Sequence, residues 1–171
     1  MMLAARIPPP TSTADLERYS EANPGWKIER EADGTIVMSP TNGETGRRNM
    51  RLAALLTTWN DGAAAGECFD SSTGFRMPDG SILSPDASWI EGRRWHALSP
   101  AEREDYAPLV PDVCIELVSK SDSLGEATAK ARRYRAYGAR YVIVIDPQTK
   151  TLWSDGEPPS GFPTDLSRVM D

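Results

Sequence analysis

The sequence predicts an α/β fold, a mixed β-sheet flanked by helices and preceded by an N-terminal helix and hairpin. Three observations predict it. Two nearly continuous apolar runs, 113–118 and 141–145, flank a helix-length segment, the pattern of a right-handed parallel crossover covered on both faces. Leu52, Leu55, Leu56 and Trp59 recur at the spacing of one helical face. Asp33-Gly34 and Pro78-Asp79-Gly80 punctuate alternating segments as hairpin turns do.

In chain order, residues 1–11, with Pro8, Pro9 and Pro10, read as a loose tail. A short helix runs from Ser12 or Thr13 to about Ala22 and stops at Asn23-Pro24-Gly25. Residues 26–29 and 35–38 make the first hairpin. The long helix follows Pro40-Thr41-Asn42-Gly43 and ends near Asn60-Asp61-Gly62. Residues 67–70 form a short strand, and 74–77 with 82–90 read as a second hairpin. Ser99-Pro100-Ala101-Glu102 is a capping box opening a short helix, and Ser123 with Glu126 opens another that runs to Tyr137 and closes at Gly138. After the strand 141–145, a turn at 146–150 leads 151–153 back to pair with it, and 156–171 is an irregular tail with a last turn at 165–169. One domain, 1–171, accommodates all of this.

Composition narrows the chemistry. The net charge of −6 excludes binding to nucleic acid by overall charge, so a polyanion must meet local basic patches. Arg47, Arg48 and Arg51, Arg93 and Arg94, and Arg132, Arg133, Arg135 and Arg140 are the clusters available, although neighbouring acids such as Glu91 and Glu126 balance them. No apolar run is long enough to cross a bilayer. Cys68 and Cys114 lack a metal-site or disulfide spacing, which places the chain in a reducing cytoplasm. The single histidine, His96, reads as a surface or packing residue, so carboxylates must carry any chemistry.

Glu116 stands out as a glutamate inside an apolar strand; buried, it must be neutral, paired or bound to a cation. Asp112, on the same strand, would lie about 13 Å away at 3.3 Å per residue. Asp79 is accounted for by its turn. Asp86 lies on a segment able to neighbour the 113–118 strand, where two oxygens can share one hard divalent ion. Glu44, before the long helix, is either a capping acid or a third oxygen turned toward the sheet. Oxygen donors without histidine select Mg²⁺ or Mn²⁺ over Zn²⁺ and suit hydrolysis of a phosphodiester.

Ser84-Pro85-Asp86, followed thirty residues on by Glu116-Leu117-Val118, resembles the PD-(D/E)XK motif of the restriction-endonuclease-like superfamily. The chain is similar, over about residues 20–155, to the bacterial Uma-type endonuclease family. Four blocks carry the similarity: 40–46; 70–75 through 85–89; 111–117 with Ser119, Ser121 and Asp122; and Lys130 through 137–140 to 145–147. The resemblance implies a restriction-endonuclease-like core, Mg²⁺-dependent (or Mn²⁺-dependent) cleavage of DNA, and a homodimer. It assigns the metal to Asp86 and Glu116, with Glu44 assisting. The motif lysine is replaced by Val118, which can neither orient water nor stabilise charge on phosphorus. Lys120 and Lys130 are the available substitutes, and the family match favours Lys130. Beyond Trp153 the chain looks short for the family, which bears on dimer contacts. Val118 and the acidic balance motivate the alternative, a catalytically impaired nuclease-fold binding or assembly module; a hydrolase of another phosphate ester is the third reading.

Overall fold

The computed structural model describes residues 5–8, 11–63, 66–120 and 122–171; Pro9 and Pro10 of the expected tail, and Ser121, lie outside them. In chain order, strand β1 (Ala5–Ile7) precedes helix α1 (Thr13–Ala22), strands β2 (Trp26–Arg30) and β3 (Ile36–Pro40), and helix α2 (Gly43–Ala63). Strands β4 (Gly66–Asp70), β5 (Phe75–Arg76), β6 (Ile82–Leu83) and β7 (Ala87–Glu91) follow, then short helices α3 (Gly92–His96) and α4 (Pro100–Glu104). Strand β8 (Val113–Leu117), helix α5 (Leu124–Tyr137), strands β9 (Tyr141–Asp146) and β10 (Thr151–Gly156), and helix α6 (Ser167–Met170) complete the chain.

The central sheet has the order β10-β9-β8-β7-β4. Among the described residues of this sheet, β8 and β9 pair in parallel, joined by α5, and the other pairs are antiparallel. Alternation along the strands builds two cores. Ala87, Ile115 and Ile143 face α2 and the C-terminal stretch, meeting Leu52, Leu56, Trp59, Phe162 and Val169. Cys114, Val142 and Val144 face the other way, toward Ala131 and Tyr134 of α5. Leu52 and Leu56 are fully buried, each contributing roughly 1.5–3 kcal/mol of transfer free energy.

A second, antiparallel sheet, β1-β3-β2-β6-β5, carries α1, with Leu16 against Ile36, Met38 and Ile82. The return arm of the expected second hairpin is therefore two strands in two sheets. Phe75 and Arg76 pair with β6, whereas β7 pairs with β4 and β8. The chain changes sheets at Ser84-Pro85-Asp86, where proline has no N–H to continue a ladder.

Three further differences correct the sequence reading. Residues 5–7 are an edge strand on β3 rather than loose tail. Residues 92–96 form a helical turn not expected from the sequence, while His96 within it is exposed as a surface histidine, 3.7 Å from Glu67. The stretch after Gly156, although irregular in backbone, buries Phe162, Leu166 and Val169 and so belongs to the core.

Helix α5 has well-defined ends. The Ser123 N–H donates to Glu126 Oε2 at 2.9 Å while Ser123 Oγ accepts the Glu126 N–H at 3.2 Å. Gly138 closes the helix at φ +113°, a conformation costly for other residues. Because α5 covers the face bearing Glu116, we expect Ser123→Ala to cost about 1 kcal/mol. Urea unfolding would show a lower midpoint at unchanged slope; an unchanged midpoint would mean that the cap is dispensable.

Candidate active site

Two strands and a register place the acids. Ala87 pairs with Ile115 and Ser88 with Cys114, and the Asp86 N–H continues the ladder to Ile115 O at 2.9 Å. Asp86 therefore stands opposite Glu116, on the face that α5 covers. Both residues are buried, at 7% and 5% exposure.

Each carboxylate has one oxygen fixed by the protein and one turned toward a common cation. Asp86 Oδ2 accepts the Leu117 N–H at 2.7 Å, and Glu116 Oε1 accepts the Tyr134 hydroxyl at 3.0 Å. The other pair, Asp86 Oδ1 and Glu116 Oε2, lie 2.9 and 3.7 Å from the ammonium of Lys27. Lys130, from α5, sits 3.0 Å from Glu116 Oε1 and bridges to Glu29 at 2.8 Å, while reaching Ser84 O at 3.4 Å. Glu29 Oε1 also accepts the Ser84 N–H at 2.6 Å, tying the first sheet to the crossing point.

The position of Val118 explains how Lys130 comes to be there. Val118 is buried on the same face as Cys114, within the core beneath α5. The motif position is thus packing, and the helix lying over it brings an ammonium to Glu116 instead. Lys120 lies beyond the end of β8, exposed.

Three carboxylates and two ammoniums share this buried space, and Glu116, Glu29 and Lys27 are each displaced from their ordinary titration. Burial raises Glu116 above its ordinary 4.5; Lys130 and Lys27 oppose this, while Asp86 and Glu29 add to it. Burial would also raise Glu29, yet Lys130 and Lys27 hold it below the usual value. Burial would lower Lys27, but Asp86, Glu116 and Glu29 raise it overall, so it stays cationic.

Glu44 is not brought to this cluster. It is exposed at the start of α2, 3.0 Å from Arg47 and 3.4 Å from Arg48, whose charges hold its carboxyl low. With Arg48, Leu117, Lys120 and Gln148 it lines a groove of about 270 Å³ beside the Glu116 strand. A larger concavity, about 970 Å³, lies elsewhere, between α2 and the C-terminal stretch, lined by Leu55, Trp59 and Arg168. Its lining, like that of the smaller groove, contains none of the buried acids or lysines, which are packed inside the junction of the two sheets.

Most arginines have local acidic partners: Arg93 pairs with Glu91, Arg94 with Asp112, Arg133 with Glu31 and Arg135 with Asp155. Asp112 and Asp79 hold structural positions, the first accepting the Glu91 N–H and the second the Ser81 N–H. Lys27, Glu29 and Tyr134 were not among the residues singled out from sequence. The alternation of Trp26-Lys27-Ile28-Glu29 contained a signal, a strand face carrying opposite charges two residues apart, which ordinarily denotes solvent.

The donor set suits a hard divalent ion. Two carboxylate oxygens converge on one cation position, no nitrogen or sulfur ligand is needed, and the three acids exceed the two lysines by one charge. Among the described residues no cluster of three or more acidic, histidine or cysteine side chains is arranged to bind a metal. A two-carboxylate site is the arrangement Mg²⁺ uses when water and phosphate complete its shell.

The chain resembles known proteins in sequence family and in fold. The Uma2 family model, described as "Putative restriction endonuclease", matches residues 13–160. A crystal structure described as "a putative nuclease belonging to DUF820" from Anabaena variabilis superposes with a TM-score of 0.64 at 16% identity. The match covers 84% of this chain and 90% of that one, a likeness of fold. No curated protein matches the chain.

The raised Glu116 carboxyl sets a sign for stability. A carboxyl whose folded pKa exceeds its unfolded value costs stability as pH rises above that unfolded value, and nothing below it. Glu116→Gln removes this cost and leaves each lysine a carboxylate partner, Asp86 or Glu29. The metal-free variant should melt a few degrees higher at pH 7, a gain of about 1 kcal/mol. The difference should vanish as pH falls below about 4. A variant that melts lower at pH 7 would show Glu116 to be a net stabilising partner.

Proposed function

The chain belongs to the Uma2 family, a nuclease family with the restriction-endonuclease-like fold, and we propose that it is a Mg²⁺- or Mn²⁺-dependent DNA endonuclease acting at Asp86 and Glu116. The observation that carries this reading is the convergence of Asp86 Oδ1 and Glu116 Oε2, from adjacent strands, on one cation position.

In the proposed site those two oxygens hold the metal. When bound, the ion would supply positive charge to a phosphate oxygen and make a water more acidic. Tyr134 and the Leu117 N–H keep the two carboxylates aimed, so little reorganisation is needed during reaction. Lys130 donates a hydrogen bond toward the attacking water or the charge developing on phosphorus, from its place beside Glu116. Glu29 and Ser84 O hold that ammonium in place. Glu44 with Arg48 and Lys120 borders the adjoining groove, where the basic groups meet flanking phosphates. A homodimer would present two such sites to the two strands of a duplex.

The second reading, a nuclease-fold binding module without cleavage, is favoured by one observation. Lys27 already faces both donor oxygens, so each has a cationic partner without a metal. Incubation of plasmid with the pure protein and Mn²⁺ separates the two. We expect cleavage by the wild type and a loss of about 100-fold or more in Asp86→Asn and Lys130→Met. DNA binding without cutting by the wild type would favour the binding module. Equal cutting by wild type and Asp86→Asn would remove the proposed site.

A further inference from the structure

Lys27 is the one member of the cluster that the proposed chemistry leaves without a task, and its position is specific. Of the four carboxylate oxygens in the Asp86–Glu116 pair, Lys27 faces the two that, among the described residues, accept no backbone or hydroxyl hydrogen bond. Its side chain is only 15% exposed, so its charge has little water to fall back on. It reaches the pair from β2, an element of the other sheet. The contact therefore spans the junction and is not a neighbour pairing along one strand.

We propose that the Lys27 ammonium is a built-in counter-ion occupying the cation position, which a divalent ion must displace to bind. The inference rests on the metal-dependent reading above. An ammonium and a divalent ion cannot share two oxygens at bonding distance without strong mutual repulsion in a buried site. With Lys27 in place, the metal-free protein has its donor oxygens compensated and aimed. Metal binding then exchanges one cation for another. The consequence is a raised concentration threshold, because the ion's affinity is reduced by the free energy of the contacts Lys27 gives up. Lys130 does not compete in this way, since it engages Glu116 on the opposite oxygen and is anchored by Glu29.

Calorimetric titration of the full chain with Mn²⁺, at fixed pH and ionic strength, tests this in wild type, Lys27→Met and Lys27→Gln. Both variants should bind Mn²⁺ at least tenfold more tightly than the wild type. A variant that folds only when Mn²⁺ is present would also support the exchange. Equal or weaker binding by the variants would overturn the role of Lys27 and leave the metal site standing. Absence of binding in all three proteins would overturn both. Acetylation of wild-type lysines followed by mass spectrometry needs no variant. Mn²⁺ should speed labelling of Lys27 at least fivefold relative to exposed Lys150, whereas unchanged or slower labelling would contradict displacement.

Discussion

Charge compensation in a buried space governs this molecule. Asp86, Glu116 and Glu29 are carboxylates withdrawn from water, and each would be costly alone. Lys27 and Lys130 make the arrangement tolerable, and they come from a strand of one sheet and a helix packed on the other. The cluster thus binds the two halves of the fold to each other. It remains one positive charge short, which burial expresses as a raised carboxyl on Glu116.

The architecture serves this meeting point. Alternation along β7 and β8 puts Asp86 and Glu116 on one face, and antiparallel register puts them opposite each other. The change of sheet at Pro85 brings β2 beside the end of β7, so that Lys27 and Glu29 arrive from across the junction. Helix α5, capped at Ser123 and stopped at Gly138, fixes Tyr134 and Lys130 above the same face. Hydrophobic packing on the opposite face, around Leu52, Leu56 and Trp59, supports the sheet without contributing a polar group to the cluster.

What could be read from the sequence depended on how local each signal was. The helices with capping boxes and the parallel crossover are short-range patterns, and they appear with their expected limits to within a residue or two. Glu116 was conspicuous because an acid in an apolar strand has no ordinary explanation, and Asp86 because proline precedes it near that strand in the motif. Lys27 and Glu29 were hidden because an alternating strand with a charged face is the usual mark of solvent exposure. Here the long-range pairing of β2 with β6 brings that face to the junction of the two sheets, where Asp86 and helix α5 cover it. Glu44 looked suitable by position, yet Arg47 and Arg48, one helical turn along, claim it locally. The core of the C-terminal stretch was equally invisible, since Phe162 and Leu166 are buried without belonging to a periodic element.

The central claim is that Asp86 Oδ1 and Glu116 Oε2 form the seat of a divalent cation. Anomalous diffraction from metal-free crystals soaked in Mn²⁺ tests it most directly. The account predicts a manganese peak between these two oxygens, at about 2.0–2.6 Å from each, with the Lys27 ammonium moved away. Manganese absent from that position, with Lys27 still against Asp86 at saturating Mn²⁺, would contradict it.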